Sequence, residues 1–325
     1  MKIPSIELGN ISRFRAEQMG AAMLFVILFH VALDRGDPFY GLRRCGNVGV
    51  DIFLFLSGVG LWFAWTKTPS VSHFYRRRLV RILPTWLICS TAFYPDNGTN
   101  IIIGDITINW DFWLHDELTF WYVPAIMALY LAAPWYMRLI ERYPTYRWLP
   151  LLMVVWCVMV QWVLPIHAAV GHLEIFWSRV PIFFIGINMG EMVRSRKQLP
   201  PDAVWLLLVT FLMTFGTCLY LEQVRHGHFP LFVERMLYIP FTVCSILVMN
   251  RIFRRTPGWV NRAFRLVGML SLEVYLIHIH FVLVYIQPMG LGYWGTFAAT
   301  VVITLPVAWV LHKTTSFLLN IFSKK

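Results

Sequence analysis

Apolar residues in this chain come in long runs, not in the alternation of a strand or the single stripe of a surface helix. Ten runs read as membrane spans: 16–34, 47–65, 79–94, 119–138, 148–166, 175–193, 203–221, 231–250, 266–287 and 293–318. Most approach the roughly 20 residues that a helix needs to cross a hydrocarbon core. The third is short and opens amphipathically, and the eighth begins with Glu234 and Arg235. There is no internal repeat, no low-complexity tract and no loop long enough for a soluble domain. Residues 1–325 therefore read as one all-α integral membrane domain of ten helices.

The first run, AEQMGAAMLFVILFHVAL, carries a single histidine, His30. It is too long for a signal peptide and lacks a small-residue cleavage site, so a retained span is expected. An ionisable ring at membrane depth is a functional-site hypothesis. Its ordinary alternative is a histidine satisfied by a neighbouring helix.

Composition agrees with the membrane reading. Apolar residues make up 58% of the chain and charged residues 14%, far from the soluble balance. The formal charge of +11 would suit a nucleic acid only if a basic, aromatic-lined groove stood in a water-exposed domain, and none is present. Placing the N-terminus inside puts 22 of the 28 lysines and arginines in cytoplasmic segments. Only Arg35, Arg43, Arg44 and Arg225 then fall outside, as does the loop Asp96–Asp116. This split predicts both termini in the cytoplasm and a basic face that attracts the anionic lipids of the membrane. Trp62, Trp65, Trp121 and Tyr122 sit at span ends as interfacial anchors. Cys45, Cys89, Cys157, Cys218 and Cys244 are scattered, which suggests neither a disulfide framework nor a metal site.

With this topology the polar residues inside spans acquire depths. His30 lies roughly 6 Å below the outer border, and His278 and His280 roughly 10–13 Å. Asp51 enters the second span from outside, and Arg179 and Arg235 open the sixth and eighth there. Their gathering in one leaflet predicts a polar cavity in the outer half of the bundle. On the inner side, RRRLVRILPTW groups Arg77, Arg78 and Arg81 below Pro84, which is expected to kink or break the helix. A positive-inside anchor explains most such clusters; the functional reading is a dock for the phosphates of an anionic cosubstrate. In NVGVDIFLFLSGVGLW, Gly46, Gly49, Ser57, Gly58 and Gly60 predict close helix packing.

Six stretches, EQMGAAMLFVILFH, GVDIFLFLSG, RRRLVRILPTW, FWYVPAIMALYLAAP, RVPIFFIGINMG and SLEVYLIH, follow one another at characteristic spacing. Together they resemble the membrane acyltransferase-3 family over nearly the whole chain. The resemblance implies a bacterial cytoplasmic-membrane enzyme that moves an acyl group, commonly acetyl, from cytosolic acyl-CoA onto a surface carbohydrate or lipid-linked glycan. By position, His30 matches the family's essential first-span histidine and Asp51 an acidic residue of its second span. Arg78 and Arg81 match its basic motif, and His278 its late histidine. The chain departs from many members in having Met19 where an arginine stands eleven residues before the histidine. Arg15, one turn further inward, is the expected substitute on the donor side.

The chemistry suits that implication. Moving an acyl group from a thioester to a hydroxyl needs a base, and histidine titrates in the right range. A carboxylate would orient the ring: Asp34, four residues on, or Asp51 from the second span, and the sequence does not choose between them. Arg179, Arg235 or His278 would stabilise the oxyanion. No serine or cysteine stands in a nucleophile motif, so direct transfer is expected. The rival is a secondary transporter or flippase for a glycan or lipid precursor, against which stands the lack of inverted halves. A purely structural role leaves the outer-leaflet charges unexplained.

Overall fold

The computed structural model describes residues 5–93, 109–115, 117–226 and 228–323. Lys2, Lys324 and Lys325 of the charge pattern, Tyr94 at the end of the third expected span, and most of the loop Asp96–Asp116 lie outside the described residues.

Every expected span coincides with a helix, but several boundaries move. Helix α1 is Arg15–His30. It ends four residues early because Val31 turns to an extended backbone, its N–H still bonded to Ile27 O. A short helix, Tyr40–Cys45, leads into α2, Val48–Lys67, which Pro69 stops. Helix α3, Val71–Phe93, begins well before its apolar run and passes through Pro84 unbroken. Helix α4 is Tyr122–Arg142. The fifth span is two helices: α5, Leu149–Trp162, ends at an extended Val163, and the chain there turns by 97°. Helix α6, Val180–Arg194, and α7, Pro201–Gln223, both carry proline in their first turn, where no N–H is needed. Helix α8 is Leu231–Arg255. The ninth span divides into α9, Gly258–Met269, and α10, Ser271–Ile277, which runs into a π-helical stretch His278–Leu283. Helix α11, Gly292–Ser323, closes the chain. The paired strands are β1, Ile6–Glu7, and β2, Gln198–Leu199, antiparallel.

Among the described residues six helices are long and apolar enough to cross a membrane, or seven if the bent pair counts as one. Helices α1 and α6 have 16 and 15 residues, about 24 Å of rise or less against a core of about 30 Å. Helix α3 is long enough, but its arginines hold down its apolarity. The chain is a multi-pass helical membrane protein.

It divides into two compact units, Met1–Lys67 with Trp135–Met269, and Thr68–Pro134 with Leu270–Lys325. In the first unit the glycines do what their spacing predicted. A Cβ on Gly58 would lie 2.3 Å from Phe183 O, and one on Gly186 2.3 Å from Phe55 O, so α2 and α6 cross backbone to backbone. Gly46 and Gly49 are pressed in the same way against Phe25 O and Ala22 O of α1, and Gly20 and Gly268 bring α9 onto it. Lipid gives packed helices no hydrophobic advantage, so such close approach supplies the van der Waals attraction. In the second unit α3, α10 and α11 pack together. Tyr75 Oη donates to Leu131 O at 2.8 Å, and His280 sits between the rings of Phe93 and Phe120.

Candidate functional site

His30 is the last residue of α1 and half-buried. Its Nδ1 lies 2.8 Å from Val26 O. A carbonyl only accepts, so the Nδ1–H donates to it and the neutral ring keeps its lone pair on Nε2. The ring meets Phe29 edge-on at 5.1 Å. The guanidinium groups of Arg43 and Arg44 lie 5.7 and 5.1 Å from the centre of the same phenyl ring. Arg43 Nε also donates to Val31 O at 2.6 Å, pinning the turn at which α1 ends.

The crossing of Gly46 against Phe25 and Phe29 sets the start of α2 beside the end of α1. There, buried charges stand in pairs. Asp51 Oδ2 is 3.3 Å from Arg179 Nε, both side chains 2% exposed. Arg179 also donates to Asn47 Oδ1 at 3.0 Å and Ile175 O at 2.9 Å. Arg44 Nε meets Glu222 Oε1 at 3.0 Å, and Arg235 Nε lies 3.6 Å from Glu174 Oε1. Tyr238 donates to Glu234 Oε1 at 2.7 Å. Arg179 precedes the first turn of α6, while Glu234 and Arg235 lie in the first two turns of α8. The starts of α2, α6 and α8 thus converge near the His30 end of α1. Arg235 is 6% exposed, and among the described residues its Nε and Nη1 have no hydrogen-bond partner.

Asp51, Arg179 and Arg235 are therefore brought together in the first unit, with His30 at the same end. Two expectations change. Asp34 is not one turn above His30 on a helix; it lies in an exposed loop, its Oδ1 taking Gly36 N at 3.5 Å. Asp51 is engaged by Arg179, and the contact recorded for the Nδ1 of His30 is a backbone carbonyl. Arg15 stands at the other end of α1, about 22 Å away by helical rise, donating to Leu56 O at 3.0 Å.

His278, Arg77, Arg78 and Arg81 belong to the second unit. His278 is fully buried, its Nδ1 2.9 Å from both Val274 O and Tyr275 O, at the start of the π-helical stretch. Such stretches occur often at functional sites. Arg77 and Arg81, one turn apart, are exposed. Arg78 turns inward over Phe74 and Tyr130, at 5.8 and 5.9 Å.

Sequence reasoning missed Arg44, Glu174, Glu222, Glu234 and Tyr238. The available signal was a set of acids at outer span ends with few cations nearby, and a tyrosine one turn after Glu234. It also missed the pair of buried Glu273 with His312, Oε1 to Nδ1 2.7 Å, which joins residues 39 apart.

Buried paired charges at one end of a helical membrane unit, beside a histidine whose Nδ1 is held by a backbone carbonyl, define a polytopic protein with a charged cluster in its interior. The model of the acyltransferase domain family matches residues 20–313. The chain belongs to the acyltransferase-3 family and is a membrane acyltransferase. Neither the curated proteins nor the solved structures compared with it returned a match. The matched segment includes His30, Asp51, Arg179, Arg235 and His278 and leaves out Arg15.

Proposed function

We propose that this acyltransferase moves an acyl group, acetyl in the first instance, from cytosolic acyl-CoA to a hydroxyl of a surface carbohydrate or lipid-linked glycan. In this reading ten helices cross a bacterial cytoplasmic membrane with both termini inside, the short α1 and α6 among them. His30 is the general base. Its Nε2 takes the acceptor's hydroxyl proton as the oxygen attacks the thioester carbonyl. The tetrahedral oxyanion accepts hydrogen bonds from Arg235. Collapse breaks the C–S bond, and the departing thiolate takes the proton back from His30, leaving ester and free CoA. A carbonyl, Val26 O, holds the ring where a carboxylate was expected. The exposed Arg77 and Arg81, with Arg78, hold donor phosphates.

The observation that carries the reading is the histidine that the family match includes, its ring held with Nδ1 2.8 Å from Val26 O. The test is transfer from radiolabelled acetyl-CoA to extracted cell-envelope glycans by the purified protein. His30→Ala should lose about 10²- to 10⁴-fold in rate while keeping its thermal midpoint. Near-normal transfer by this variant, or acceptor transport with no need of acyl-CoA, overturns the reading.

A further inference from the structure

At the end of the first unit opposite His30, a cavity of about 190 Å³ opens between the N-terminal segment and the last turns of α8. Its walls include Ser5, Asn10, Asn250, Arg251, Arg254 and Arg255. The N-terminal segment is clamped in place there. Strand β1 pairs with β2, Leu8 N donates to Lys197 O at 2.9 Å, Leu8 and Ile11 are buried, and Phe14 meets Phe253 at 6.4 Å.

The walls are rich in donors. Asn250, 1% exposed, accepts from Gln18 Nε2 through its Oδ1. Three arginines, Arg251, Arg254 and Arg255, line the same space. Glu7 is the acid on the wall, and its Oε1 folds back to within 3.0 Å of where a Cβ on Gly9 would lie. Attraction to the inner leaflet explains arginines at this end of α8, and so does the negative end of the helix dipole. Neither explains the cavity. Because that dipole disfavours an anion, binding here must come from the side chains themselves.

We propose that this cavity binds a phosphate group. Arginine forks match phosphate oxygens, and three arginines line the space. The volume is below the about 300–1,000 Å³ of pockets that enclose drug-sized ligands, so it takes a phosphate-bearing head and not a whole cofactor. That head belongs either to a soluble nucleotide-bearing donor or to an anionic lipid. The first alternative rests on the acyl-CoA reading above; the second does not.

The probes are coenzyme A, added to full-length protein in phosphatidylcholine nanodiscs, and phosphatidylglycerol, scored by its retention in native mass spectrometry. Arg254→Gln with Arg255→Gln alters two exposed side chains and should leave the thermal midpoint unchanged. The double variant should weaken binding of one probe at least about tenfold, as expected for a lost charge-assisted hydrogen bond. Weakened coenzyme A binding assigns the cavity to the soluble donor, and lost phosphatidylglycerol retention assigns it to lipid. If neither changes, or if only Arg77→Gln with Arg81→Gln affects them, the proposal is overturned. His30→Ala measured alongside separates the two ideas, since it should abolish transfer without changing either binding.

Discussion

The first unit treats charge differently at its two ends. Near His30, Asp51 and Arg179 are each 2% exposed and Arg235 is similarly enclosed. At the far end Arg147 and Glu191 pair in the open, while a half-exposed Arg265 covers the carboxylate of a buried Glu17. Exposed pairs gain little, because water screens them and ordering long side chains costs entropy. Buried pairs seldom repay their desolvation in stability either, yet breaking one strands a charge in an apolar place. The open Arg147–Glu191 pair can therefore drift in sequence with small effects. The buried end is held to its residues, which is the expected mark of a working site.

The sharpest way to break this contrast is Arg179→Ala, which leaves Asp51 buried without its cation. A loss of about 3–5 kcal/mol is expected, read as a large drop in thermal midpoint or in folded yield in detergent. Asp51→Leu combined with Arg179→Met should restore most of it; a double variant as unstable as the single one would show that the pair is not coupled. Between the ends, Gly58→Val drives a side chain into Phe183 O and should cost at least about 1–3 kcal/mol. Its control is Gly216→Ala, where nothing lies within 4 Å of the new methyl. That change should stabilise by about 0.5–1 kcal/mol. The smallest effect is expected at the open end, where Arg147→Ala should cost about 1 kcal/mol or less, shrinking further in high salt. Equal losses for Arg147→Ala and Arg179→Ala would erase the distinction between the ends.

What could be read in the sequence was what is local in space. Helix hydrogen bonds join residues four apart, so each apolar run fell on a helix, and glycine spacing in α2 and just before it foretold the crossings at Gly46, Gly49 and Gly58. The five scattered cysteines are all buried. Non-local features escaped. Ala32 and Leu33 continue the apolar run, and nothing nearby marks the end of α1; the arginine that pins the turn, Arg43, comes twelve residues later. Arg179 and Asp51 were both legible as buried charges in one leaflet. Their pairing was not, because the chain returns to α2 only after more than a hundred residues. Pro84 was expected to kink or break its helix, and α3 continues through it without a break. The π-helical stretch after Ile277 is one further irregularity that no residue type announces.

Helix α11 has a consequence for the surrounding lipid. Its 32 residues rise about 48 Å, well beyond a core of about 30 Å. Tilting alone would require an angle steeper than the usual upper limit of about 40°, so part of the rod must run past the hydrocarbon. Trp309, with Lys313 5.7 Å from its ring centre, is the kind of aromatic and basic pair that rests at headgroup level. Beyond it Phe317 and Ile321 remain exposed and apolar. Those last turns would sink into a thicker membrane and be left in water by a thinner one, making bilayer thickness a physical variable for this protein.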